Sequence, residues 1–310
     1  MPKVSIIIPV YNVEKYIRRC LVSVQNQSMH DIEIIVVNDC TQDNSMTIVK
    51  ELAQKDKRIR ILSHERNMGP MWARKTGYNV ATCDFITFCD GDDYLPPMAI
   101  ETLYLTGLDS KADIISGNYV YITVRGEKKL WKNELKYGNL RSDILKSLLR
   151  HELKHSLWAK LFNASLFRDF EYDTYANATN GEDGCLLYQV INHVNKIVQI
   201  ESVVYYYMQN LESSSQIRYN ENAIKSICLA NKTVESIVSI YPELNADLNR
   251  YITNSLCALY VREYDQNRTH LSIHIANNRL QHYISMNNII RYLDYKKMLS
   301  LFIRYRLFKH

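Results

Sequence analysis

The sequence predicts an α/β protein: a mostly parallel sheet flanked by helices, followed by a helical C-terminal region. Three observations carry that expectation. From Lys3 to Val120 short apolar runs alternate with amphipathic segments, polar clusters close three of those runs, and from about Tyr219 onward helical periodicity dominates.

In order, the pattern predicts a strand Val4 to Pro9, a helix Val13 to Gln25, a strand Ile32 to Val37 and a helix Asn44 to Gln54. A strand Ile59 to Leu62, a helix Met71 to Val80, a strand Phe85 to Phe88 and a helix near Met98 to Leu105 continue the series. Near-continuous Val and Ile runs are what strands covered on both faces require. Ligands bind such sheets beyond the carboxyl ends of the strands. The strand-ending sequences PVYN, NDCTQD and CDGDD are therefore expected to converge on one sheet edge.

Beyond Asp113 the pattern loosens. Strand-like segments Ile114 to Val124 and Ile197 to Met208 are separated by helical stretches Asp143 to His151 and Asp183 to Asn192, which predicts a mixed sheet with a substrate-facing insertion. Ile224, Ile227, Cys228, Val234, Ile237 and Val238 are spaced for one apolar helix face. A boundary is expected near Ser215, in the polar run ESSSQ, dividing the chain into residues 1–215 and 216–310.

At 310 residues and 46% hydrophobic content, the chain is long and apolar enough to bury a real core. Seven cysteines, without a CxxC pair, argue against a disulfide framework and a structural zinc site and point to a reducing, cytoplasmic setting. The apolar run from Val4 is interrupted by Pro9 and reads as a buried strand, not as a leader or a membrane span. The net charge of +5 concentrates in residues 291–310, where six Lys and Arg residues face the single Asp294 among Leu299, Phe302, Ile303 and Phe308. That composition suits a peripheral helix on an anionic membrane face, a terminal helix docked on the core, or a contact between copies in a homo-oligomer. Nucleic acid is not expected as a partner, since the rest of the chain carries neither a basic stripe nor a reader motif.

The densest chemistry lies in FCDGDDYLPP, residues 88–97, where Asp90, Asp92 and Asp93 follow a strand. Like charges this close repel unless a cation joins them. Residues i and i+2 of an extended turn point the same way, so Asp90 and Asp92 can face one site while Gly91 lets the backbone bend. Hard oxygen ligands suit Mg2+ or Mn2+, which keep positions open for phosphates; a solvated turn before a helix explains the same composition. At the end of the first strand, Pro9 and Tyr11 can border and stack on a planar base. Asp39, ending the second strand, can accept a pyrimidine N–H or cap the next helix.

Taken together and in order, VSIIIPVYN, IEIIVVNDCTQDNS, NMGPMWARKTG, DFITFCDGDDYLPP and NGEDGCLL resemble the inverting family 2 glycosyltransferases with a GT-A fold, over roughly residues 3 to 210. The resemblance implies transfer of a sugar from a nucleotide-diphosphate donor, usually UDP-linked, to a hydroxyl of a glycan or lipid-linked acceptor in surface polysaccharide or lipopolysaccharide synthesis. It implies that Asp39 binds the base, that Pro9 and Tyr11 wall its pocket, and that Asp90 and Asp92 form the DxD motif. Asp92 is then the direct metal ligand and Asp90 turns toward the ribose or the metal's water shell; Asp93 binds the metal or orients its neighbours. Arg74 falls near the donor phosphates, or is an exposed helix arginine, and Lys75 departs from the family's usual asparagine. His64 and Asn67 lead into a loop beside the base.

The aspartate of Glu182–Asp183 corresponds to the family's general base, with Glu182 toward an acceptor hydroxyl. One carboxylate suffices for inversion, because the acceptor oxygen loses its proton as it attacks opposite the leaving diphosphate. HSLWAKLF, residues 155–162, resembles the family's W-x-KL segment. There Trp158 stacks on a sugar or packs in the core, and Lys160 anchors the segment or meets a phosphate. Met208 stands where relatives often carry a basic residue. A catalytically inactive scaffold that binds sugars is the alternative; a dinucleotide oxidoreductase is excluded by the missing GxGxxG.

Overall fold

A computed structural model describes residues 1–175, 178, 180–211, 221–265, 283 and 285–293. Residues 294–310 and the polar run around Ser215 lie outside the described residues, and with them the readings of the basic tail and of the domain boundary.

Eight strands form one mixed sheet. They are β1 (Val4–Val10), β2 (Ile32–Asn38), β3 (Ile59–Ser63), β4 (Phe85–Phe88), β5 (Ile114–Ile122), β6 (Lys128–Trp131), β7 (Lys160–Asn163) and β8 (Ile197–Met208). The order is β3-β2-β1-β4-β7-β5-β6, with β8 paired to β5. The first four strands are parallel, as the alternating pattern predicts, and each matches its predicted position within one residue. The connection reverses between β1 and β4, and the two strands part early: their ladder ends at Ile7 and Phe88, whereas β1 stays paired with β2 to Val10. The Ile7 carbonyl faces β4. Pro9, two residues on, therefore points its missing N–H at the gap where no ladder bond is lost.

Two strands were not legible as such. β7 begins inside HSLWAKLF and runs antiparallel between β4 and β5, while β6 is a short, exposed edge strand of four residues. Both are too short to show a period, and lysines blunt the β6 edge as edge strands commonly require.

Helices α1 (Ile17–Gln25), α2 (Ser45–Lys55) and α4 (Ala99–Ser110) cover one sheet face. The other face holds α3 (Pro70–Val80), α5 (Arg141–Leu149), α6 (Ser165–Arg168) and α7 (Glu182–Ile191). Two long helices, α8 (Glu221–Val238) and α9 (Asn245–Asp265), pack behind α7, and a short α10 (Met286–Tyr292) packs on α9. The apolar face expected from Ile224 to Val238 joins Leu186, Val190 and Ile191 of α7 in one continuous core with Leu248, Ile252 and Leu256. Among the described residues no helix is long and apolar enough to cross a membrane.

One buried carboxyl ties the two halves of the sheet together. Asp93, 0% exposed, accepts hydrogen bonds from the Tyr205 hydroxyl (2.8 Å) and the Met208 N–H (2.7 Å), both on β8. Burial first, and then the neighbouring Asp92 and Asp90 charges, push its pKa well above the usual carboxylate range. Replacing Asp93 by alanine leaves both donors unpaired and should cost about 2–4 kcal/mol, read as a lower denaturant midpoint with an unchanged slope.

A second buried group makes stability depend on pH. His155 donates from Nε2 to the Leu148 carbonyl at 2.8 Å among the rings of His151, Tyr188 and Tyr251, and burial holds its pKa down to about 3. A histidine depressed in the folded state stabilises fully above its unfolded pKa near 6.5 and loses that contribution as pH falls toward 3. Unfolding free energy should decline by up to about 1.4 kcal/mol per pH unit over that window. His155→Phe should flatten the slope in urea titrations across the same range.

Candidate active site

Four chain segments meet beyond the carboxyl ends of β1, β2 and β4, around a cavity of about 750 Å³. Pro9, Tyr11, Asp39, Asn67, Arg74, Asp90, Gly91, Asp92, Trp158, Glu182 and Asp183 all line it; Lys160 does not.

At the β1 end Tyr11 is exposed and Pro9 partly so, and Asn12 adopts a left-handed φ of 53° held by Thr41. The β2 end places Asp39 at the cavity wall, 2% exposed. Its Oδ1 accepts from the Met68 N–H (2.8 Å) and its Oδ2 from the Gly69 N–H (2.8 Å), while His64 Nδ1 lies 2.7 Å from Oδ1 and His64 Nε2 2.8 Å from Thr76. Asp39 thus shapes the loop that leads into α3, and Asn67 braces the same turn through the Gly69 N–H. A carboxylate has about four acceptor sites, so these bonds leave room for a ligand N–H.

The third segment is the acidic turn after β4. The Gly91 backbone passes so close to β1 that a Cβ there would stand 3.2 Å from the Pro9 carbonyl oxygen and 3.1 Å from Val13, a fit that a larger residue would tighten. Three neighbours fix the turn: the Tyr205 hydroxyl accepts from the Asp90 N–H (3.0 Å), Arg19 donates to the Asp92 carbonyl (2.8 Å), and the Asn210 amide donates to Asp92 Oδ2 (2.9 Å). Asp90 and Asp92 both reach the cavity, whereas Asp93 turns away into β8. Of the two readings of Asp93, this placement is that of a residue that orients its neighbours. Burial, then the charge of Asp90, raises the Asp92 pKa.

The fourth segment begins at Gly181, whose φ of 81° turns the chain into α7. Glu182 and Asp183 open that helix, where the macrodipole favours carboxylates. Asp183 Oδ2 accepts a long hydrogen bond from the Leu157 N–H (3.4 Å), and the buried Oδ1 has no hydrogen-bond partner. Burial raises the pKa of both carboxyls; for Glu182 the Asp183 charge adds to it, and for Asp183 the Arg74 charge opposes it.

Arg74 lies between these segments, 3% exposed, so the exposed-helix reading is excluded. Its Nη2 donates to Asp90 Oδ1 at 2.8 Å. Nη1 stands 2.9 Å from Asp183 Oδ1 and 3.7 Å from Glu182, contacts of charge and not aligned hydrogen bonds. Burial opposes its charge and the three carboxylates more than restore it, holding its pKa above the ordinary arginine value.

Two expectations change. Trp158, 5% exposed, stacks on Tyr205 and Tyr207 with ring centroids 4.6 and 5.3 Å apart and meets Tyr119 edge-on, so it belongs to the core and only borders the cavity. Lys160, 1% exposed, donates to the carbonyls of Lys154 (2.9 Å) and Ser156 (2.8 Å). It anchors the 154–160 turn, and its burial lowers its pKa to about 7. The Lys160 ammonium is thus already engaged inside the protein and does not reach the cavity, while the Trp158 ring is held among three tyrosines at its border.

Sequence reasoning missed Arg19, Asn210 and the α8–α9 wall of Ile227, Ala230, Asn231, Tyr251 and Ser255. Arg19 looked like any helix arginine, and only spatial neighbours mark it. Asn210 lies two residues past Met208, the position where relatives often carry a basic residue, and no local signal singles it out.

The family model described as glycosyl transferase family 2 matches residues 5–172. Glycosyltransferase GlyA of Streptococcus pneumoniae is 35% identical over 228 residues, covering 69% of this chain and 32% of that protein. Uncharacterized glycosyltransferase EpsJ of Bacillus subtilis is 30% identical over 227 residues, covering 71% of this chain and 64% of that protein. The chain thus spans about a third and just under two thirds of these relatives. Among solved structures, S. aureus TarS 1-349 in complex with UDP superposes with a TM-score of 0.67 at 18% identity, covering 99% of this chain and 93% of that one. The same fragment in complex with UDP-GlcNAc gives 0.64 at 18%, covering 91% and 90%. At that identity the likeness speaks for the fold, which is the GT-A fold expected from the sequence. By its family match and its relatives, this chain belongs to glycosyl transferase family 2.

Proposed function

We propose that the protein transfers a sugar, with inversion, from a UDP-linked donor to an acceptor hydroxyl of a cell-surface glycan or lipid-linked precursor, with Asp183 as general base. The observation that carries this reading is the single cavity onto which Asp39, Asp90, Asp92 and Asp183 all open. UDP and UDP-GlcNAc in the TarS structures support a uridine donor.

In this reading Tyr11 and Pro9 border the uracil, and Asp39 accepts its ring N–H with the acceptor capacity left by the loop. The diphosphate lies by the acidic turn. The residues fit a Mg2+ or Mn2+ ion there: Asp92 is partly buried beside Asp90 with its proton affinity raised, a repulsion that a cation relieves. Among the described residues no group of three or more His, Cys, Asp or Glu could hold a metal by itself. A hard cation bound by one or two carboxylates and substrate phosphates needs no such group. Asp92 would hold it with Asp90 alongside, and when bound it neutralises charge growing on the departing diphosphate.

Asp183 supplies the other half of the chemistry. Its carboxylate lines the cavity, and Oδ2, held only by the long bond from the Leu157 N–H, keeps acceptor capacity for a hydroxyl that gives up its proton. Glu182 flanks it, placed to meet a further acceptor hydroxyl.

The test is a thermal-shift and transfer series with nucleotide sugars, with and without Mn2+. A matched UDP-sugar should raise the melting temperature more with the metal than without it. Asp92→Ala should abolish that metal increment, and an unaltered increment would place the cation elsewhere. Asp183→Asn should keep the UDP-dependent shift while transfer falls by about 10³-fold or more. Undiminished transfer would remove Asp183 from the base role, and donor binding without any turnover by the native chain would favour the scaffold alternative.

A further inference from the structure

We infer that Arg74 is a positioning residue for the base, holding the Asp183 carboxylate in register with the acidic turn, and that it is not a ligand of the donor diphosphate. The inference rests on the reading of Asp183 as the base. Three separate stretches of chain meet at this one guanidinium: α3 supplies it, the turn after β4 brings Asp90 to Nη2 (2.8 Å), and the start of α7 brings Asp183 to Nη1 (2.9 Å). Arg74 shares the buried face of α3 with Met71, Ala73, Gly77 and Tyr78, which fixes where the guanidinium can stand. The guanidinium is a rigid planar fork, so occupying both terminal nitrogens sets the separation of the two carboxylates, as a lysine ammonium cannot. A diphosphate could take the same nitrogens only by displacing Asp90 or Asp183.

The contact with Asp183 is of a useful kind. Nη1 approaches the buried Oδ1 without an aligned hydrogen bond and supplies counter-charge there, while Oδ2, steadied only by the long bond from the Leu157 N–H, keeps lone pairs for a substrate hydroxyl. Asp90 Oδ1 receives the aligned bond. Arg74 is thereby fastened to the donor side and reaches across to the acceptor side of the cavity.

The test uses the full chain, UDP affinity by calorimetry at saturating Mn2+, and hydrolysis of UDP-GlcNAc, in which water takes the place of the acceptor. Arg74→Gln should leave the UDP Kd within about threefold of the native value while the rate at saturating donor falls about 100-fold, the scale of a misplaced catalytic group. Arg74→Lys should recover part of that rate. Because Arg74 acts through Asp183, the double variant Arg74→Gln/Asp183→Asn should be no slower than Asp183→Asn alone. A tenfold or larger rise in the UDP Kd for Arg74→Gln, or additive losses in the double variant, would overturn the inference. Hydrolysis by Asp183→Asn at the native rate would instead sink the base assignment, and UDP affinity would still decide whether Arg74 touches the donor. Should Arg74→Gln fail to fold, Arg74→Lys, which keeps the charge, carries the same comparison: a UDP Kd within threefold with a reduced rate supports positioning, and a tenfold weaker Kd contradicts it.

Discussion

Carboxylates held close together in a partly dry cleft repel one another, and the architecture around this cavity follows from managing that repulsion. Asp90, Asp92, Glu182 and Asp183 come from two distant stretches of sequence, and the one guanidinium of Arg74 reaches three of them. Isolated buried carboxylates would take up protons, and the raised pKa values of Asp92, Glu182 and Asp183 express that tendency. The cluster persists because rigid elements on both sides hold it: the core of the parallel sheet on one side, and the α7–α8–α9 packing on the other. A site with surplus negative charge is suited to a cation and to a substrate that arrives with one. This balance of charge is the common cause behind the proposed metal position and the proposed base.

The sheet makes the gathering possible through one local break. Because the β1–β4 ladder stops at Ile7 and Phe88, the chain ends beyond it splay, and the acidic turn crosses the gap past the Pro9 carbonyl. The turn is then fixed from behind by Tyr205, Arg19 and Asn210. Asp93 shows the division of labour within one short motif: two of its aspartates face the cavity, and the third is spent on joining the turn to β8.

Much of this was legible in the sequence, and the reason is physical. Strands buried on both faces must be nearly continuous Val and Ile, so β1, β2 and β4 announced themselves, and their polar ends located the site edge. Asp39, Asp90, Asp92 and Asp183 sit at those ends and at a helix start, where local sequence determines position. What failed was whatever depends on packing between distant segments. β7 is four residues long and gains its pairing from β4 and β5, so no local period betrays it. Trp158 and Lys160 carry sugar-binding and phosphate-binding side chains, yet three tyrosine rings and two backbone carbonyls claim them. The share of α8 and α9 in the cavity wall was invisible for the same reason: their apolar periodicity reports that they pack, and not against what.

The central claim is that one cleft receives the base, the diphosphate and the acceptor hydroxyl together. A crystal structure of the protein with UDP and Mn2+ tests it most directly. The account predicts uracil beside Tyr11 and Asp39, the diphosphate and metal at Asp92, and the Asp183 carboxylate facing the β-phosphate end across an open space large enough for a sugar. UDP bound elsewhere, or a metal held without Asp92 while Asp183 opens away from the diphosphate, would contradict it.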